Sequence, residues 1–110
     1  MDLDRVIELS LETKNSEYLK AADDGELKTL VLLLNAGANI KCMDEDGYSA
    51  LHLAARKGHD TMVKMLVDRG LDVNTRGYED RTPLMLAARA GQESTVNTLI
   101  SAGADLTCKV

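Results

Sequence analysis

Ser49-Ala50-Leu51-His52-Leu53-Ala54-Ala55-Arg56-Lys57-Gly58-His59-Asp60-Thr61-Met62-Val63-Lys64-Met65-Leu66-Val67-Asp68-Arg69-Gly70 reads as two short helices joined by a one-glycine turn. Ser49 offers a hydroxyl where the unpaired amides of a helix N-terminus need an acceptor. The small pair Ala54-Ala55 lets the first helix approach its neighbours closely, and Gly58 turns the chain. Met62, Val63, Leu66 and Val67 then recur at helical spacing. Gly70 ends the second helix, because a left-handed cap costs other residues about 1–2 kcal/mol.

The same pattern returns on both sides. Gly25, Gly58 and Gly91 are spaced by 33 residues, and so are Gly37, Gly70 and Gly103. The pairs Ala21-Ala22, Ala54-Ala55 and Ala87-Ala88 fall in the same register. So do the apolar columns Leu30/Val63/Val96, Leu33/Leu66/Leu99 and Leu34/Val67/Ile100. The third unit opens with Thr82 before Pro83, a hydroxyl cap followed by proline at the first helical position, and the first opens at Ser16. One such helix pair cannot bury its own apolar face, so stacking on its neighbours supplies the missing surface. The expected architecture is therefore all-α, a row of helix pairs joined by loops.

Composition agrees with packed helices. The 110 residues are 45% hydrophobic but only 3% aromatic, with no Trp and no Phe, so the core must be aliphatic. A net charge of −5, with no basic run to release counterions from a duplex, speaks against nucleic acid. No stretch approaches the roughly 18 apolar residues that cross a bilayer. Residues 1–14 lack the apolar block of a signal peptide. A cytoplasmic or nuclear location is the expectation. Cys42 and Cys108 stand two repeats apart, or about 16–20 Å at roughly 8–10 Å per packed layer. A disulfide needs Cα atoms within about 7 Å, so two free thiols are expected.

The 33-residue period, Leu51-His52-Leu53-Ala54-Ala55, Thr82-Pro83-Leu84 and Gly103-Ala104-Asp105 resemble the ankyrin repeat. The resemblance covers residues 16–110 and divides the chain into a leading segment or capping helix (1–15), an N-terminal capping repeat (16–43), a second repeat (44–76) and a C-terminal repeat (77–110). It implies a hydroxyl-to-imidazole contact, which only Ser49 and His52 can make, since Met85 replaces the histidine in the third repeat. Several departures mark the ends. Leu3, Val6, Ile7 and Leu11 suggest a leading helix over the first layer. Lys14 replaces the finger glycine Gly47, and Glu17 and Lys20 put polar groups at stacking positions. Thr95 and Thr98 replace Met62 and Met65, a softening suited to a C-terminal cap or to an array cut short. Asp80 replaces Gly47 in the second finger, where Asp tolerates left-handed backbone better than most residues.

Catalysis would need a nucleophile, a base and an orienting group together. His52 belongs to the repeat motif, and His59 follows the inter-helix glycine, where a polar surface residue is expected. No glycine-rich phosphate loop occurs. A calcium loop starting at Asp44 would require Gly at its sixth position and Glu at its twelfth; Ser49 and Ala55 stand there. No catalytic residue, metal or cofactor is expected. Met62, Met65, Met85 and Tyr18 are read as core.

Ankyrin proteins use finger tips and the open face of the first helices as a concave binding surface. Carried onto this chain, the resemblance points to Met43, Glu45, Asp46 and Tyr48 on the first finger and Arg76, Tyr78, Glu79 and Arg81 on the second. The first helices add Asp23 and Asp24, then Arg56 and Lys57, then Arg89. The implied partner is another protein, lying in a groove with an acidic end and a basic centre. On this view Tyr48→Ala with Arg81→Ala weakens binding and leaves thermal unfolding nearly unchanged. The implied function is an adaptor, scaffold or steric inhibitor; the alternative is a regulatory or targeting segment of a longer enzyme. Self-association through the stack ends is left open.

Overall fold

The computed structural model describes residues 9–104; the leading-helix expectation at Leu3, Val6 and Ile7, the thiol of Cys108, and Asp105, Lys109 and Val110 lie outside them. Among the described residues six α-helices follow one another: α1 (Leu11–Asp24), α2 (Leu27–Asn35), α3 (Ala50–Lys57), α4 (Asp60–Asp68), α5 (Pro83–Arg89) and α6 (Glu93–Ser101). No strand is formed among the described residues; one isolated antiparallel bridge joins Met43 to Ser49 in the first finger.

Within each pair the helices pack on each other, α1 on α2, α3 on α4 and α5 on α6. Between pairs, α1 packs on α3 and α3 on α5, and α4 packs on α6. The result is a row measuring 43 × 24 × 21 Å, not a closed bundle. Leu30, Leu33, Leu51, Val63, Leu66 and Leu99 are wholly buried, which makes the core aliphatic. Tyr18 is also wholly buried, and its hydroxyl donates to the Ile40 carbonyl at 2.9 Å. Burial pushes its phenol well above the usual range. Met62 is in the core as expected, and Met65 packs against it.

The caps follow the sequence. Ser49 and Thr82 accept from the amides of His52 and Met85, and Gly25 and Gly58 close α1 and α3 in left-handed conformation. The first unit differs. Its cap is Ser10, whose hydroxyl accepts from Thr13, and Ser16 lies inside the helix. The extra turns are anchored where a finger would otherwise sit. Lys14 Nζ donates to the Ala36 carbonyl, and Asn15 Oδ1 accepts from the Asn39 amide.

The third repeat corrects the expectation about its cap. Thr95 is buried, and Thr95 and Ser94 hydroxyls both donate to the Asp60 carboxylate of the preceding repeat. These bonds hold the Asp60 carboxyl below its usual range. The threonine that replaces Met62 therefore faces inward, and the outer face of the last layer is not softened by it.

The second finger is less regular than the first, as Asp80 suggested. Tyr78–Asp80 form a 3-10 turn in which Glu79 and Asp80 both take positive φ, 55° and 59°. A left-handed residue other than glycine costs about 1–2 kcal/mol, and glycine loses about 0.5–1 kcal/mol more chain entropy on folding. Asp80→Gly is expected to raise stability by about 0.5–1 kcal/mol, whereas the β-branched Asp80→Val lowers it. Urea unfolding midpoints of the two variants check the ordering.

Candidate partner-binding surface

The fingers are built on their own backbone. Asp44 accepts the amides of Asp46 and Tyr48 on one carboxylate oxygen, each at 2.9 Å, and its carbonyl accepts the Gly47 amide. This holds Met43, Glu45 and Asp46 outward; Met43 is 50% exposed. With helix standing where the first repeat would have a finger of its own, the flank of this turn stays open as a groove of about 460 Å3 lined by Ser16, Leu19, Met43, Asp44, Glu45 and Asp46. Ser16, Leu19 and Asp44 were not among the sequence candidates. The signal for them was Lys14 standing in place of the finger glycine, which implied the missing turn beside them.

Tyr48 does not join this surface. It is 5% exposed, its ring lies 5.1 Å from the His52 ring at 31°, and the backbone of Gly77 presses on its other side. A Cβ on Gly77 would stand 2.4 Å from the Tyr48 ring, so glycine is what lets the second finger lie against the first. The alternation of exposure along a finger, unreadable without its pairing register, turned this tyrosine inward. The paired test on Tyr48 and Arg81 therefore fails as a binding test, because one of its residues is a core element.

On the second finger Tyr78 is 55% exposed and Glu79 is exposed. Arg81 is half-buried, lies 6.0 Å above the Tyr78 ring and pairs with Glu79 at 3.3 Å. Its carbonyl accepts from His52 Nε2 at 2.8 Å. Arg76 is exposed at the approach to this finger and has a partner of its own. The first helices present Asp24, Lys57 and Arg89 to solvent, whereas Asp23 and Arg56 are half-buried and pair at 3.3 Å. The change of sign from the first repeat to the second thus becomes, in part, an ion pair along the row. With both side chains more than a third exposed, water screens it and its share in stability is small.

Neither histidine is poised for chemistry. His52 Nδ1 accepts the Ser49 amide at 3.1 Å, which leaves Nε2 to carry the proton toward Arg81. Burial lowers its pKa below the usual value. His59 is not the surface residue expected: its ring covers Gly25, and Nε2 bonds the Asp23 carbonyl at 3.0 Å. Gln92 repeats the device one repeat later, over Gly58 and onto the Arg56 carbonyl at 3.3 Å. Cys42 is a free thiol, half-buried, raised in pKa by burial and 3.9 Å from the Asn15 carbonyl. No helix among the described residues is long and apolar enough to cross a membrane.

Residues 19–110 match a family model described as ankyrin repeats in three copies. The Notch-regulated ankyrin repeat-containing proteins of Xenopus tropicalis and Homo sapiens are each 48% identical over 40 residues, covering 36% of this chain and 35% of theirs. The related protein A of Danio rerio is 45% identical over 40 residues, covering 36% of each. The matched segment spans about a third of the length of these relatives. A three-copy model matched over most of the length, on three helix pairs stacked in a row, is decisive: the chain belongs to the ankyrin repeat family, whose repeats mediate protein–protein interaction.

Proposed function

We propose that the chain binds another protein through the face made by its finger tips and first helices, acting sterically as an adaptor, scaffold or inhibitor. The observation that carries this reading is the pair Met43 and Tyr78. They are large side chains, 50% and 55% exposed on successive fingers, set among Glu45, Asp46 and Glu79. Exposed apolar groups ringed by charge are what a partner desolvates, and tyrosine is favoured among the residues that dominate binding energy. Asp24, Lys57 and Arg89 extend the same reading along the first helices. No reaction is assigned to the chain, because Nε2 of His52 and Nε2 of His59 are each bonded to a backbone carbonyl of a neighbouring repeat.

Affinity capture followed by mass spectrometry identifies the partner, and the double variant Met43→Ala with Tyr78→Ala then tests the face. Loss of two exposed anchors is expected to weaken binding by about tenfold to a hundredfold, with the thermal midpoint nearly unchanged. Unaltered affinity would move the site off the fingers.

A further inference from the structure

The two ends of the row are built differently. At the register positions where the second repeat has Ala50, Leu53, His59 and Met62 facing backward, the first repeat has Glu17, Lys20, Glu26 and Thr29. That end is closed by polar side chains. At the other end, Leu51, Ala55 and Val63 of the middle repeat are wholly buried against the next layer. Their counterparts Leu84, Ala88 and Val96 keep the same apolar character; Ala88 is exposed, and Leu84 and Val96 are half-buried. At the inner junctions a side chain of the following repeat lies over each inter-helix glycine, His59 on Gly25 and Gln92 on Gly58. Gly91 has nothing within 4 Å among the described residues. Beside it runs a groove of about 470 Å3 lined by Ala88, Gly91, Gln92, Glu93, Val96 and Asn97.

The charges beside this groove are self-complementary. Arg89 closes α5 and Glu93 opens α6, on the two sides of Gly91; both are exposed, and neither is in an ion pair among the described residues. A face carrying one cation and one anion beside an apolar centre matches its own copy when rotated by a two-fold axis. The polar closure of the opposite end disfavours the head-to-tail alternative, which would press Glu17, Lys20 and Glu26 onto Ala88 and Val96. We propose that two copies of this chain associate tail to tail through the α5–α6 face, the Arg89 of each copy meeting the Glu93 of the other. The contact is only one repeat end wide, so the association is expected to be weak and visible only at high protein concentration. It shares Arg89 with the first-helix face but none of the finger tips, and partner binding is read at Met43 and Tyr78, so either reading can fail without the other.

Sedimentation equilibrium from about 1 µM to 500 µM, in low and high salt, tests the proposal. The wild type is expected to pass from monomer to dimer, and no further, with salt weakening the contact. Arg89→Glu and Glu93→Arg each set like charges together twice across the axis and should raise the dissociation constant about tenfold or more. An equimolar mixture of the two variants restores opposite charges at both positions and should recover the dimer. A monomeric wild type throughout the range overturns the proposal. So does association that ignores both substitutions, growth beyond dimer, or failure of the mixture to recover what each variant lost.

Discussion

Tyr48→Ala is expected to lower the free energy of unfolding by about 3–5 kcal/mol, the range for truncating a buried aromatic side chain. Its ring packs against His52 and the backbone of Gly77, so truncation leaves a cavity between the two fingers. A loss of that size removes about a fifth or more of the stability of a small domain and would drop the thermal midpoint by over 10 °C, as an order of magnitude. Tyr48→Phe keeps the ring and should cost about 1 kcal/mol or less. Denaturation followed by circular dichroism separates the two. Near-wild-type stability in the alanine variant would mean that the fingers do not pack through this ring. Any loss of partner binding in Tyr48→Ala should follow from the lost fold, which is why Met43 and Tyr78 are the residues for testing binding.

His52→Met, which installs the residue this chain itself uses at Met85, is expected to cost about 2–3 kcal/mol. It removes the acceptor for the Ser49 amide and the donor to the Arg81 carbonyl, and polar groups left unpaired away from water cost about 1–3 kcal/mol each. The substitution also changes the response to pH. Folding holds His52 neutral and lowers its pKa, while in the unfolded chain it takes up a proton near 6.5. Below that value the unfolded state binds the extra proton, so stability falls as pH falls, by up to about 1.4 kcal/mol per unit until the folded group itself titrates. The contribution is fully present above pH 6.5. Asp60, whose carboxyl is held low by Ser94 and Thr95, loses its contribution only below its ordinary value of 3.8. Unfolding curves from pH 8 to pH 5 should therefore slope in the wild type and flatten in His52→Met. A slope that survives the substitution would assign it to another group.

Most of the architecture was legible in the residues because the repeat writes it three times. A glycine column that recurs every 33 positions marks turns whatever lies around it, and apolar columns at helical spacing mark the buried faces. Hydroxyl caps at Ser49 and Thr82 were equally readable, since a cap is a local bond between near neighbours. The first helix was read too short. Ser16 matched the register of the other caps, but with no finger to form, the chain stays helical back to Ser10 and ties Lys14 and Asn15 to the loop beyond α2.

The candidate surface was legible in part. Met43 and Tyr78 are exposed as expected, because a finger tip has too little backbone to bury both of its faces. Tyr48 was misplaced because the side of a finger that meets its neighbour depends on how two fingers pair. Thr95 was misplaced for a related reason: register shows that a position contacts an adjacent repeat, but not whether that repeat precedes or follows. His59 looked like a surface residue until the carbonyl of Asp23, more than thirty residues away, came within reach.

By itself the amino-acid order determined the period, the helix pairs, the caps of the second and third repeats and the need for neighbours, since these rest on bonds and spacings within a few turns of chain. Only the tertiary structure decided which tyrosines are core and which charged groups pair along the row. Those outcomes depend on distances between residues about one repeat apart, and no local pattern encodes them.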